Sequence, residues 1–161
     1  MKKLIYTLLI IIALTNNSFS AGTSSDSSDS SSDYTKAKNL IKAAKKYEKK
    51  GKIEKAQKRY AKAQKLLLKS NKKKPLQADT LNYLGFTTRK LGDYEKGEEF
   101  YLQGLQIEPD HNGINEYLGE LYIATNRMDL AKKRLNVLKS CNCKEYKQLK
   151  EIIEGTKKSK Y

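Results

Sequence analysis

The dipeptide Leu84-Gly85 returns thirty-four positions later as Leu118-Gly119, and the agreement extends beyond it. Gly97, Tyr101 and Gly104 have Ala131, Leu135 and Leu138 at the same interval, and the turn Leu91-Gly92-Asp93-Tyr94 corresponds to a break at Asn126-Arg127. A backward shift of forty-one gives Ala43-Ala44, Tyr47, Gly51, Ile53, Ala56, Tyr60 and Ala63. Apolar positions recur at three- and four-residue spacing, and no stretch alternates as a strand would. Further breaks fall at Pro75 and over 109–113. A glycine inside a helix costs about 1 kcal/mol, so Gly85, Gly97 and Gly104 point to helices that cross closely. Helical pairs repeated at this period bury their apolar faces only by stacking on one another.

Residues 78–111 resemble a tetratricopeptide repeat. Leu84-Gly85 fills the close-packing pair of the first helix, Gly97 the crossing point of the second, Tyr101 the large knob, Gly104 the second small site and Pro109 the helix stop. The resemblance implies an all-α, helical-hairpin solenoid of about three repeats, near 37–70, 78–111 and 112–143. Packing positions are then Ala44, Ala56 and Tyr60 in the first unit, and Leu118, Gly119, Tyr122 and Ala131 in the third. Residues 144–157 carry Tyr146, Leu149, Ile152 and Ile153 on one helical face, which predicts a terminal helix covering the last apolar surface.

The resemblance also implies a binding function, with a protein or peptide partner held on the concave face of the first helices. Its outward positions map to Ile41, Lys45, Glu48 and Lys49, then Asn82, Tyr83, Phe86, Arg89 and Lys90, then Glu116, Tyr117, Glu120 and Ile123. Asn82, Arg89 and Lys45 partly resemble a clamp for a peptide carboxylate, and Glu116 and Glu120 reverse the charge farther along. The expected function is a non-catalytic interaction scaffold of the bacterial cell envelope.

The envelope expectation comes from the N-terminus. Lys2 and Lys3 precede an eleven-residue apolar run over 4–14 that is interrupted only by Thr7, and small residues follow at Ser18 and Ser20. This pattern predicts a signal peptide over 1–20, cleavage at Ser20-Ala21, and a periplasmic or secreted protein. Eleven helical residues extend about 16 Å, roughly half a bilayer's hydrocarbon core. Residues 21–33 are Ser/Asp-rich and read as a disordered linker, with Asp33 or Thr35 capping the helix that follows.

Net charge is +15, yet it is not spread evenly. Residues 34–74 hold 17 Lys and Arg against 2 acids, whereas 75–161 hold 14 against 13. The basicity belongs to one hairpin. Lysine outnumbers arginine there by sixteen to one, without the aromatic interleaving that base stacking needs, which disfavours nucleic acid. The alternative function is an electrostatic tether to an anionic envelope polymer or membrane surface.

The sequence offers no nucleophile–base set, phosphate loop or zinc spacing, so no enzyme activity, cofactor, metal or small-molecule substrate is expected. Its one histidine, His111, falls in an inter-repeat turn. Cys141 and Cys143 leave three readings open: a structural clip, a redox-active pair that would make the chain a thiol–disulfide accessory, and free or intermolecular thiols.

Overall fold

The computed structural model describes residues 27–159. The signal-peptide expectation lies outside these residues, as does the linker up to residue 26. Seven α-helices follow in order: α1 Ser27–Lys49, α2 Ile53–Lys73, α3 Ala78–Lys90, α4 Tyr94–Ile107, α5 Asn112–Ala124, α6 Met128–Val137 and α7 Lys144–Ile153, with a short 3-10 turn Leu138–Ser140 before the last. Antiparallel pairs α1/α2, α3/α4 and α5/α6 form hairpins that stack in sequence, and α7 lies over α5 and α6.

The repeated register sets the turns. Gly51, Gly92 and Asn126 occupy one register position, and each adopts a positive φ of 68°, 100° and 58°. The next amide reaches back in every case: Lys52 N to Tyr47 O at 2.9 Å, Asp93 N to Thr88 O at 3.2 Å and Arg127 N to Tyr122 O at 2.7 Å. A left-handed residue thus closes the first helix of each hairpin and satisfies its terminal carbonyls. Asp93 then starts α4 by accepting the Lys96 amide on Oδ1 at 2.9 Å.

Small residues admit large ones across the hairpins. A methyl group on Gly85 would lie 2.5 Å from the Tyr101 ring, and one on Gly104 would collide with Ile114. A Gly97 methyl would press on the Gly85 carbonyl at 3.1 Å. Ala44, Ala56, Tyr60, Leu84, Leu118, Tyr122 and Ala131 are buried alongside them, whereas Pro109 is exposed in its turn. The core is continuous in kind but divided in place. One cluster joins α1, α2 and α3 through Ile41, Tyr60, Leu67, Leu81 and Leu84; the other joins α4, α5 and α6 through Tyr101, Ile114, Leu118 and Ala131. Over the second cluster, Leu149 of α7 is seated where Gly119 has no side chain.

The first helix departs from expectation at its start. It begins at Ser27, so the last seven residues of the Ser/Asp segment are helical, and Asp33 lies inside the helix instead of capping it. The cause is tertiary. Asp33 is buried, and its Oδ2 pairs with Lys69 Nζ of α2 at 3.1 Å.

Candidate protein-interaction surface

The first helices of the three hairpins, α1, α3 and α5, bring the sequence-predicted groove residues together. Their exposure differs from the expectation. Asn82, Phe86, Arg89, Glu116 and Glu120 keep only 6, 3, 2, 4 and 0% of their surface accessible. Lys45, Tyr83 and Lys90 are half-buried, and Lys49 is exposed. Register sets the direction of these side chains, but aromatic neighbours decide what reaches solvent.

Those neighbours form two groups of rings. Phe86 meets Tyr60 edge-on at 5.7 Å and Tyr117 at 5.1 Å, and Tyr34 meets Tyr83 at 5.9 Å. Lys45 Nζ lies 4.3 Å from the Phe86 ring centre and donates to the Tyr117 hydroxyl at 3.1 Å. Arg89 sits among the rings of Phe86, Tyr117 and Tyr101, at 5.5, 5.6 and 5.9 Å, and its Nη1 donates to the Tyr117 carbonyl at 2.9 Å. A cation held against ring faces gains electrostatically there without the hydration it has lost.

This arrangement corrects the carboxylate-clamp expectation. Arg89 is enclosed between α3, α4 and α5, and Asn82 is buried beside Gly113, so neither presents a free donor to an incoming carboxylate. Lys90 pairs with Glu48 at 2.6 Å, and Glu48 also accepts from the Tyr60 hydroxyl at 2.8 Å. What reaches solvent is the rim, where Lys49 is exposed and Tyr83 and the already engaged Lys45 are partly so.

Electrostatics follow from the burial. Burial pulls the Arg89 guanidinium below its ordinary pKa, opposed by Tyr101 and by the Glu120 carboxylate. Burial pushes the Tyr117 hydroxyl well up, with Glu116 adding to it; Tyr60 rises for the same first cause, assisted by its bond to Glu48. None of these groups is set for proton transfer near neutral pH.

His111 works in the backbone. Its Nδ1 accepts the Ile114 amide at 3.1 Å, capping α5, while Nε2 lies 3.3 Å from Asp79 Oδ1. Beside it, Glu108, Asp110, Asn112, Val137, Ser140 and Cys141 line an open cleft of about 550 Å³. The sulfurs of Cys141 and Cys143 lie 2.01 Å apart, a disulfide distance. Among the described residues no three His, Cys, Asp or Glu are grouped to hold a metal, and no helix is long and apolar enough to cross a membrane.

The sequence reading missed one strong pair. Arg127 donates to both oxygens of Glu98, at 3.0 and 2.6 Å, tying the turn before α6 to α4. These residues are twenty-nine positions apart. Only the repeat register, which stacks the third turn beside the preceding helix, could have brought them to notice.

Stacked hairpins with small residues at each crossing define an all-α helical-hairpin solenoid. The family model of the tetratricopeptide repeat matches residues 78–111, so the chain carries one repeat of that family there and resembles it in fold elsewhere. The solved first tetratricopeptide domain of Spaghetti (RPAP3), bound to the HSP90 peptide SRMEEVD, is similar in fold, with a TM-score of 0.53, 19% identity, and coverage of 76% of this chain and 94% of that chain. MamA superposes with a TM-score of 0.42 and 18% identity over 74% of this chain and 80% of that chain. A Sol locus transcriptional repressor from Clostridium acetobutylicum is 36% identical over 72 residues, which are 43% of this chain. The matched segment spans 23% of that relative's length.

Proposed function

We propose that this chain is a non-catalytic protein-interaction scaffold of the cell envelope that grips an acidic partner segment along the concave rim. The observation that carries this reading is Lys45, half-exposed and already fixed between the Phe86 ring and the Tyr117 hydroxyl. A cation oriented in advance binds an anion at a smaller entropic cost than a free lysine does. Lys49 and Tyr83 extend the rim with a second charge and an aromatic face. The Spaghetti domain, whose peptide is acidic, supports the capacity of the fold for such a ligand. The signal-like N-terminus and the closely placed cysteines support export to an oxidising compartment.

The test is site-specific photocrosslinking in cells, with the probe at Tyr83 and a control at Leu102, exposed on α4. A discrete protein adduct at Tyr83 alone, in the envelope fraction, is the expected result. Equal labelling at both sites, or recovery of the protein in the cytosol with Met1 retained, refutes the reading. The exposed lysines of α1 and α2 favour a second one, a tether to an anionic polymer or membrane, whose mark is bulk association abolished by salt.

A further inference from the structure

The repeat register exposes an unfilled position at the outer face of the first hairpin. In the second repeat, Leu81 and Thr88 face the preceding hairpin: Leu81 is buried in a cluster with Ala63 and Leu67 of α2, and Thr88 Oγ1 accepts from Gln64 of α2 at 2.7 Å. In the third repeat the equivalent positions are Asn115, fully buried, and Tyr122, whose hydroxyl engages Glu98 of α4. Leu81, Thr88 and Tyr122 thus meet the second helix of the hairpin before them, while Asn115 is held by the Pro109 and His111 carbonyls of the connecting turn.

In the first repeat these positions are Leu40 and Tyr47. Both are half-buried, and no described residue stands where the preceding helix would lie. They line two adjoining depressions of about 350 and 440 Å³ that share Leu40 and Arg59. Leu40, Tyr47 and Leu66 make an apolar floor; Lys36, Lys55, Lys58, Arg59 and Lys62 stand around it. Arg59 stacks over Tyr47 at 5.1 Å. The residues of α2 that face α3, among them Ala56, Tyr60 and Gln64, lie on the opposite side of the helix.

The far end of the array shows what fills such a surface. There α7, an amphipathic helix, lies over α5 and α6 and buries Leu149 and Ile152. A seam between two helices receives a third by ridge-in-groove packing. We infer that the outer face of α1/α2 docks an acidic amphipathic helix of a partner protein, its apolar stripe on Leu40, Tyr47 and Leu66 and its carboxylates toward the surrounding lysines. Charge selects this occupant. The chain's own apolar run over 4–14 has no acid, and its Ser/Asp segment over 22–33 has no apolar residue. A second copy would bring its own lysine rim against this one. The surface is separate from the concave rim, so it adds a second contact to the scaffold.

The probe is a synthetic helix of about 15 residues, with leucines in one stripe flanked by glutamates. Its binding to the full chain is followed by fluorescence anisotropy, with a peptide of equal composition and scrambled order as control. The stripe peptide should bind, and Lys58→Glu with Lys62→Glu should weaken it by at least about tenfold. Leu40→Gln should weaken it too, whereas Lys132→Glu on α6, exposed and outside both surfaces, should leave it unchanged. Equal binding of the scrambled peptide, or of phosphatidylglycerol vesicles with the same sensitivity to Lys58 and Lys62, overturns the inference in favour of bare surface charge. Loss on Lys49→Glu alone overturns it by moving the peptide to the concave rim, and absence of binding to the unsubstituted chain overturns it outright. The lysine variants alter exposed side chains, and circular dichroism verifies their fold.

Discussion

Arg89 donates from Nη1 to the main-chain oxygen of Tyr117 at 2.9 Å, so a guanidinium near the end of α3 is held by the backbone of α5. Both it and Glu120, whose charge acts on it, are almost wholly enclosed. Arg89→Met should destabilise the fold by about 3–5 kcal/mol, because it removes one charge of an enclosed, oppositely charged pair, and Glu120→Leu should cost a similar amount. Arg89→Met combined with Glu120→Leu should recover most of that loss. Urea denaturation of the single and double variants gives the coupling, and purely additive losses would contradict the link.

Gly85→Ala and Gly119→Ala should differ although each new methyl would approach a side chain at 2.5 Å. At Gly85 the obstacle is the enclosed Tyr101 ring, which cannot rotate out of the way; a cost of about 1–3 kcal/mol is expected. At Gly119 the obstacle is the end of Leu149, which can change rotamer, and the cost should stay below about 1 kcal/mol. Thermal melts rank the two, and the reverse order would mean that α7 is packed more rigidly than the hairpins.

Alkali should unfold the array through its tyrosines. Burial raises the hydroxyl pKa of Tyr34, Tyr60, Tyr83, Tyr101, Tyr117 and Tyr122. In the unfolded chain the same groups ionise near pH 10. Above that pH the folded state holds more protons, so stability falls as pH rises; below it the contribution is complete. Phenolate absorbance should therefore show a reversible phase from exposed tyrosines and a later one coincident with loss of helical circular dichroism. Ionisation of all 11 tyrosines in one phase, with helices intact, would be the contrary result.

Breaking the Cys141–Cys143 link should cost little. A bridge between residues two apart closes a very short loop, for which the chain-entropy account allows about 1.5 kcal/mol. The attachment of α7 rests on Leu149 and Ile152 instead. Cys141→Ser with Cys143→Ser should lower Tm by a few degrees and leave the α7 amides protected in hydrogen exchange. Loss of that protection would show that the link, not the apolar contact, holds the last helix.

The hairpins were legible because their signals are local. Gly51, Gly92 and Asn126 mark the turns by the backbone they must adopt, and Gly85 and Gly97 mark the crossings by what they lack. The concave residues were legible in direction but not in exposure. Nothing near Arg89 in the chain says that Tyr117 and Phe86 will enclose it, since that depends on three helices meeting. The start of α1 failed for the same reason. A Ser/Asp segment has no reason to be helical by itself, and the Lys69 that holds Asp33 lies thirty-six residues away.

The helix over α5 and α6 gives the array a polarity. With α7 seated on the last hairpin, the described surface there is the polar back of a helix, while the first hairpin offers an open seam. One described end therefore presents the polar back of a helix and the other a lysine-rimmed apolar seam, so a single array offers partners two chemically unlike faces.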